Sequence, residues 1–332
     1  MESRCLACYK PLSHSDTEPH MDFHTSCSKK FFGLPVPPVL PYTEKDMEAL
    51  AAQSLVWRTT VPGVQPKISL EVTNNEPPTT DNARNTQPSR RLTIVGLWGS
   101  YILKPPTELY PELPEIEDVT MHLASFAGIQ VVPHTLIRMK SGAFAYITRR
   151  IDRIKNRSQG KQKIHLEDMC QVTERLTEEK YHGSYEQIAK AVQKYSVRPG
   201  LDVVYFFEQV LFSFLTGNAD MHLKNFSLLH DPERGIILAP AYDMLSTVLV
   251  NPNDTEELAL TLNGKKKNLR RKDFVAAFSR CSLSERQQFN IFARMLKART
   301  GWQTRIEQSF LSTPMKNAYL QLLNKRFERL YS

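Results

Sequence analysis

An aspartate, a histidine two positions on and an asparagine five positions on follow directly from a strongly apolar segment. Residues 203–215 are mostly hydrophobic, and Gly217-Asn218-Ala219-Asp220-Met221-His222-Leu223-Lys224-Asn225 comes next. A second aspartate, in Ala241-Tyr242-Asp243, lies 18 residues beyond Asn225. Between them, Phe226-Ser227-Leu228-Leu229 reads as a strand, His230-Asp231-Pro232-Glu233-Arg234-Gly235 as a turn and Ile236-Ile237-Leu238-Ala239 as the returning strand. A buried element must therefore hand over to a polar loop, and a tight hairpin must bring Asp243 back towards that loop. Phosphoryl transfer from ATP needs such a set. One carboxylate accepts the proton of a hydroxyl, and an amide oxygen with a second carboxylate holds the magnesium ions on the phosphates. A plain loop of turn-forming residues would carry the Asp-x-His-x-x-x-Asn spacing equally well, so the weight rests on parts found upstream.

A chain of 332 residues can form two lobes around a cleft or one large domain. It has no run of 18 apolar residues, and Met1-Glu2-Ser3-Arg4-Cys5 opens without an apolar core, so neither a membrane span nor a secretory signal is expected. The net charge of +8 permits an acidic partner. The sharpest basic run, Lys265-Lys266-Lys267 with Arg270-Arg271-Lys272, reads as a solvated face. Five cysteines, an odd number, point to a reducing compartment, hence a cytoplasmic location.

Three of those cysteines lie in the first 27 residues. Cys5-Leu6-Ala7-Cys8 and His24-Thr25-Ser26-Cys27 form two close pairs, each able to aim both members at one ion, so Cys5, Cys8, His24 and Cys27 are candidate structural zinc ligands. His14 and His20 in the intervening loop could substitute for His24, and cysteines packed as small hydrophobes are the alternative. A knuckle of this kind is expected to be separable from the chemistry, leaving phosphotransfer largely intact when the ion is lost.

Residues 35–41 are proline-rich and read as an extended connector; residues 45–54 have helical character. Gly63, between two short extended segments, is placed to let a loop fold over phosphates. Residues 73–91 are polar and predicted to form a mobile loop. Strands follow at residues 92–95 and 101–104, the second ending in Lys104. Ile116, Val119, Leu123 and Phe126 have helical spacing, and Gly128 is a natural stop. Glu115, Glu117 and Asp118 suit the start of that helix, and one of them is expected to pair with Lys104. A strand at residues 142–148 runs into Arg149-Arg150-Ile151-Asp152-Arg153, a candidate hinge. Helices are predicted at residues 165–174, 185–194, 201–216, 271–281, 284–298 and 303–310. Strands early and helices late give an α+β, bilobal layout like that of a protein kinase: a Cys/His segment 1–34, an N-lobe 35–150 and a helical C-lobe 151–332.

From about Val61 onward the chain resembles the HipA family of bacterial serine/threonine kinase toxins. The resemblance rests on Val61-Pro62-Gly63-Val64-Gln65-Pro66-Lys67, Tyr101-Ile102-Leu103-Lys104-Pro105, Leu113-Pro114-Glu115-Ile116-Glu117, Arg149 to Arg153, His165-Leu166-Glu167-Asp168-Met169-Cys170-Gln171, Gly217 to Phe226 and Tyr242-Asp243. The short stretch ahead of the Gly-rich loop makes it most similar to the HipT branch. That resemblance implies Asp220 as catalytic base and Asn225 and Asp243 as Mg2+ ligands. It implies Lys104, Glu117, Gly63, His222 and the backbone of Arg149 and Ile151 at ATP, with Thr60 as the autophosphorylated residue and Thr59 or Ser69 as alternatives. It implies an aminoacyl-tRNA synthetase as the substrate. The implied partners are a HipB-like DNA-binding antitoxin, through which DNA is met only indirectly, and a small HipS-like protein. A kinase-like binding subunit of an antitoxin–DNA complex and a small-molecule kinase are the competing readings.

Overall fold

The computed structural model describes residues 3–12, 22–53, 66–74, 90–95, 98–156 and 160–331. Thr59, Thr60, Gly63, His14 and His20 lie outside the described residues. The chain divides into two compact units, residues 1–118 with 133–150 and residues 119–132 with 151–332.

The first unit contains α1 (Thr25–Phe32), α2 (Glu44–Gln53), β1 (Ile68–Asn74), β2 (Arg90–Ile94), β3 (Tyr101–Lys104), the start of α3 (Leu113–Phe126), β4 (His134–Arg138) and β5 (Phe144–Arg149). Its antiparallel sheet has the order β2-β1-β3-β5-β4. One face carries a continuous apolar set, because alternate residues along each strand turn to the same side: Ile68, Leu70, Leu92, Leu103, Ile137 and Ile147 share it and are buried. Both ends of the stretch predicted as a mobile loop, residues 73–91, are strand, and its residues 75–89 lie outside the described residues. Thr73 and Asn74 end β1, while Arg90 and Arg91 begin β2, paired to them in register. The proline-rich connector joins this edge, since Val39 exchanges backbone hydrogen bonds with Arg90 and Leu92. Gly99 is a packing requirement: a Cβ there would meet the Leu70 carbonyl at 2.6 Å.

The second unit contains the rest of α3, then β6 (Arg153–Asn156), β7 (Gly160–Lys163), β8 (Leu166–Asp168), α4 (Met169–Val172), α5 (Tyr185–Tyr195), α6 (Pro199–Thr216), β9 (Ser227–Asp231), β10 (Gly235–Leu238), α7 (Thr247–Val250), α8 (Arg271–Arg280), α9 (Glu285–Gln308) and α10 (Thr313–Tyr331). The predicted helix at 165–174 is corrected to a strand and a short helix. β8 pairs with β9, and a capping box between Asp168 and Gln171 starts α4. Two predicted helices, 284–298 and 303–310, are one continuous α9, and α10 and the β6–β7 hairpin were not foreseen.

Helix α6 is apolar almost all round and accordingly central. Its rings meet others edge-on or tilted: Phe206 with Phe226, Phe207 with Phe278, Phe212 with Trp302 and Phe214 with Phe274, at centroid separations of 4.8–5.4 Å. Each such ring contributes roughly 2 kcal/mol by burial. At its start, buried Asp202 accepts from Ser196 Oγ (2.7 Å) and Leu238 N (2.8 Å) and pairs with Arg198, tying the helix to β10. Of the basic run, Lys265 pairs with Asp273 and Lys266 with Glu256.

Glu208, buried on α6 beside Arg294, has its carboxyl pushed up from 4.5 to about 7 by burial, the Arg294 charge opposing. The folded state therefore binds this proton more tightly than the unfolded state. The penalty is absent below 4.5, grows as pH rises and is complete above 7. Glu208→Gln is thus expected to gain stability relative to wild type on going from about pH 5 to about pH 8, by at most about 3 kcal/mol. Paired melting curves across that range check it; a difference that does not vary with pH would contradict it.

Candidate active site

Gly217 ends α6 in the left-handed region (φ 68°), a conformation without strain for glycine, and its crowding against Leu322 and Val248 excludes a side chain. The polar loop that follows is held from several sides. Asn218 Oδ1 accepts from the Asp220 N–H, and the Ala219 N–H donates to Thr247 Oγ1. The Asp220 carbonyl accepts from both the His222 N–H (2.8 Å) and Asn225 Nδ2 (2.9 Å). Tyr185 from α5 donates to the Met221 carbonyl, and Tyr242 donates to that of Lys224. Lys224 itself pairs with Asp168 at 2.6 Å.

These bonds orient the side chains. Asp220 is exposed, so its carboxylate is open to an incoming hydroxyl; Tyr181 donates to its Oδ1 at 2.7 Å. Asn225 is buried with its amide nitrogen committed to Asp220, which leaves Oδ1 as the end able to ligate a cation. His222 is buried against Tyr181, its ring 5.0 Å away. Desolvation holds its pKa below the ordinary value, the neighbouring Asp220 opposing, so the imidazole is neutral at neutral pH. Its Nδ1 has no partner among the described residues. The hairpin β9–β10 forms with the register Leu228↔Leu238, and Asp243, beyond it, adopts φ 55°. A non-glycine residue in that region carries strain of the kind concentrated at functional sites.

In the first unit Lys104 Nζ lies 2.5 Å from Glu117 Oε1, with both side chains buried. Lys104 also sits over the Tyr146 ring, opposite it in the β3–β5 register. Of the three acids weighed for this pairing, Glu117 is the partner. Glu115 is pushed up to about 7 by burial, and Asp118 binds Tyr9 and His134 instead. The Arg149 N–H donates to the Pro133 carbonyl, so that donor is committed within the first unit. In the second unit the Ile151 side chain packs on Leu229, Ile237 and Ala239. Ser69 Oγ is buried, which removes it as a phosphoacceptor in this conformation. Tyr181 is the residue sequence reasoning missed: it lies 39 positions from Asp220 in an irregular segment with no periodic signal.

Residues 59–302 match the family described as HipA-like C-terminal domain. The chain belongs to that family. Two proteins of Sinorhizobium fredii (strain NBRC 101917 / NGR234) are similar over much of this domain. "Putative kinase Y4mE" is 33% identical over 186 residues (55% of this chain, 43% of that protein), and "Putative kinase Y4dM" 31% over 218 (61% and 52%). The chain thus spans about half the length of the curated relatives it matches. Among solved structures, the HipA-like chain is similar to one from the Shewanella oneidensis MR-1 toxin–antitoxin complex of HipA, HipB and operator DNA, with a TM-score of 0.68 at 21% identity (90% of this chain, 73% of that one). It is also similar to the Helicobacter pylori proinflammatory kinase CtkA, at 0.51 and 18% (69% and 84%). At such identities the likeness is one of fold: mixed helix and strand with a curled antiparallel sheet, shared with kinases. No helix among the described residues is long and apolar enough to cross a membrane.

Proposed function

We propose that this HipA-like chain is a magnesium- and ATP-dependent serine/threonine protein kinase, and that it acts as the toxin of a toxin–antitoxin pair of the short HipT kind. The observation carrying this reading is the loop in which Asp220 is exposed while its own carbonyl orients Asn225. The donor set fits the expected group: the Asn225 amide oxygen and the Asp243 carboxylate are hard oxygen ligands of the type Mg2+ takes. Lys104, held by Glu117, is the cation for the phosphates of ATP. Bound Mg·ATP supplies the transferable phosphoryl group and the neutralising charge. Asp220 accepts the proton of the attacking hydroxyl, with Tyr181 fixing the carboxylate's orientation through Oδ1. His222, neutral and buried, packs behind Tyr181. Gly63 belongs to the loop proposed to cover the phosphates, the backbone of Ile151 and Arg149 to the adenine contact, and Thr60 to self-phosphorylation.

An aminoacyl-tRNA synthetase is the proposed substrate. A HipB-like antitoxin is the proposed partner, supported by the HipA–HipB–DNA complex among the fold neighbours; a HipS-like protein is proposed beside it. The same neighbour supports the second reading, a binding subunit of an antitoxin–DNA assembly.

The test is incubation of purified chain with labelled ATP, Mg2+ and a bacterial lysate, followed by identification of the labelled protein. Asp243→Ala should abolish labelling and remove the Mg2+ dependence of ATP affinity measured by calorimetry, because it takes a charged ligand from the metal. Labelling that persists in Asp243→Ala, or ATP affinity with unchanged Mg2+ dependence, would exclude the assignment.

A further inference from the structure

The four N-terminal residues singled out by spacing converge. One ligand atom from each of Cys5, Cys8, His24 and Cys27 lies within 4.8 Å of the others. A Zn–S distance of 2.3 Å and tetrahedral angles require ligand atoms about 3.8 Å apart. Cys8 Sγ and Cys27 Sγ lie 3.4 and 3.9 Å from His24 Nδ1.

Each pair is built by its backbone. Cys5 and Cys8 flank a turn closed by the Tyr9 N–H on the Cys5 carbonyl and ended by Tyr9 at φ 64°. His24 caps α1 and Cys27 stands in its first turn, three residues on and so on the same face. His24 Nε2 lies 3.0 Å from the Pro11 carbonyl. An N–H donated there places the lone pair on Nδ1, the atom facing the sulfurs, which is how metal-binding imidazoles are usually oriented. The His24 N–H also points at Cys5 Sγ. Cysteines packed merely as small hydrophobes have no use for an imidazole nitrogen aimed among them.

The segment is not a detached module. Tyr9, next to Cys8, is buried and donates to Asp118 Oδ2 at 2.5 Å; Asp118 follows Glu117 directly in α3. Asp118 Oδ1 holds His134, whose ring stacks on Tyr146, the ring beneath Lys104. Phe31 and Phe32 of α1 pack on Tyr101, the first residue of the strand that ends in Lys104. Asp22 pairs with Arg138 of β4.

We propose that Cys5, Cys8, His24 and Cys27 bind one structural Zn2+, and that the resulting knuckle braces the strand and helix carrying Lys104 and Glu117. The ion closes a segment too small to hold itself folded. The bracing half rests on the phosphotransfer reading, whereas the metal half does not.

The test uses the full chain. Elemental analysis should give about one zinc per chain in wild type and in Cys170→Ser, a buried cysteine outside the cluster, and almost none in Cys8→Ser. Cobalt exchanged into wild type should show the visible absorption of a tetrahedral site with thiolate ligands. His24→Cys should keep the metal and shift that spectrum. Wild-type protein that purifies folded without zinc and gives no tetrahedral cobalt spectrum would overturn the site, whatever Cys8→Ser does. For the brace, Mg·ATP affinity should fall at least about tenfold, roughly 1.4 kcal/mol, when zinc is stripped from wild type by a chelator, and recover on zinc re-addition. Zinc removed with ATP affinity unchanged would overturn the brace. Zinc present with no ATP binding in any form would sink the phosphotransfer reading and leave the metal site standing.

Discussion

Asp220→Asn is expected to lower phosphotransfer at least about a hundredfold while leaving the fold intact. The reasoning is local. The substitution keeps the shape and the backbone carbonyl that orients Asn225 and accepts from His222. The new amide oxygen can still accept from the Tyr181 hydroxyl that now meets Oδ1. What disappears is the negative charge that accepts a proton from the attacking hydroxyl. Because Asp220 is exposed, no buried group is left unsatisfied, so the melting temperature should hardly move. Two measurements therefore separate chemistry from structure: labelling of the target with radioactive ATP, and a thermal melt. A variant that melts like wild type and labels at the wild-type rate would remove Asp220 from the mechanism. Growth inhibition on expression should vanish together with labelling; inhibition that persists without labelling would favour the binding-subunit reading.

How far such a site can be read in advance depends on where its restraints come from. The hairpin from Ser227 to Leu238 was legible because its signals are local: two short apolar runs and a turn in which Asp231 caps the N–H groups of Glu233 and Arg234. Helix α3 was legible through its period, and Lys104 through its place at a strand end. The failures are tertiary. The gap left between the predicted helices 284–298 and 303–310 is helical in α9, and Gly301 within it serves packing rather than a turn: a Cβ there would lie 2.1 Å from the Phe126 ring. Residues 165–168 extend because β9 offers β8 a partner, overriding a helical pattern. Helix α10 is the exception, since its buried stripe of Tyr319, Leu323, Phe327 and Leu330 is a local signal. The Cys/His pairs were legible by spacing, but the hydrogen bond by which Tyr9 reaches Asp118 across 109 positions was not. No periodic signal marks a contact of that separation.

The Lys104–Glu117 pair yields the largest expected change in stability. Both side chains are buried, so removing one partner leaves a charge without its counter-ion in a dry setting. Lys104→Ala is expected to destabilise the protein by about 3–5 kcal/mol and to abolish phosphotransfer. Either result alone is ambiguous, since an unfolded protein is also inactive. The double variant Lys104→Met/Glu117→Leu resolves this. Replacing a buried ion pair with apolar side chains of similar size is often neutral for stability, so the double variant should recover most of what Lys104→Ala loses in denaturant unfolding. It cannot recover a cation for phosphates. If Lys104 serves the nucleotide, the double variant is folded and inactive, with weakened Mg·ATP affinity. If the pair serves the fold alone, stability and activity return together, and Lys104 leaves the site. The proximity of Tyr146 adds a constraint on the substitution: Met keeps an apolar contact over that ring, which Ala would not. A folded, inactive double variant would separate the two roles of one side chain, structural through Glu117 and chemical through the phosphates.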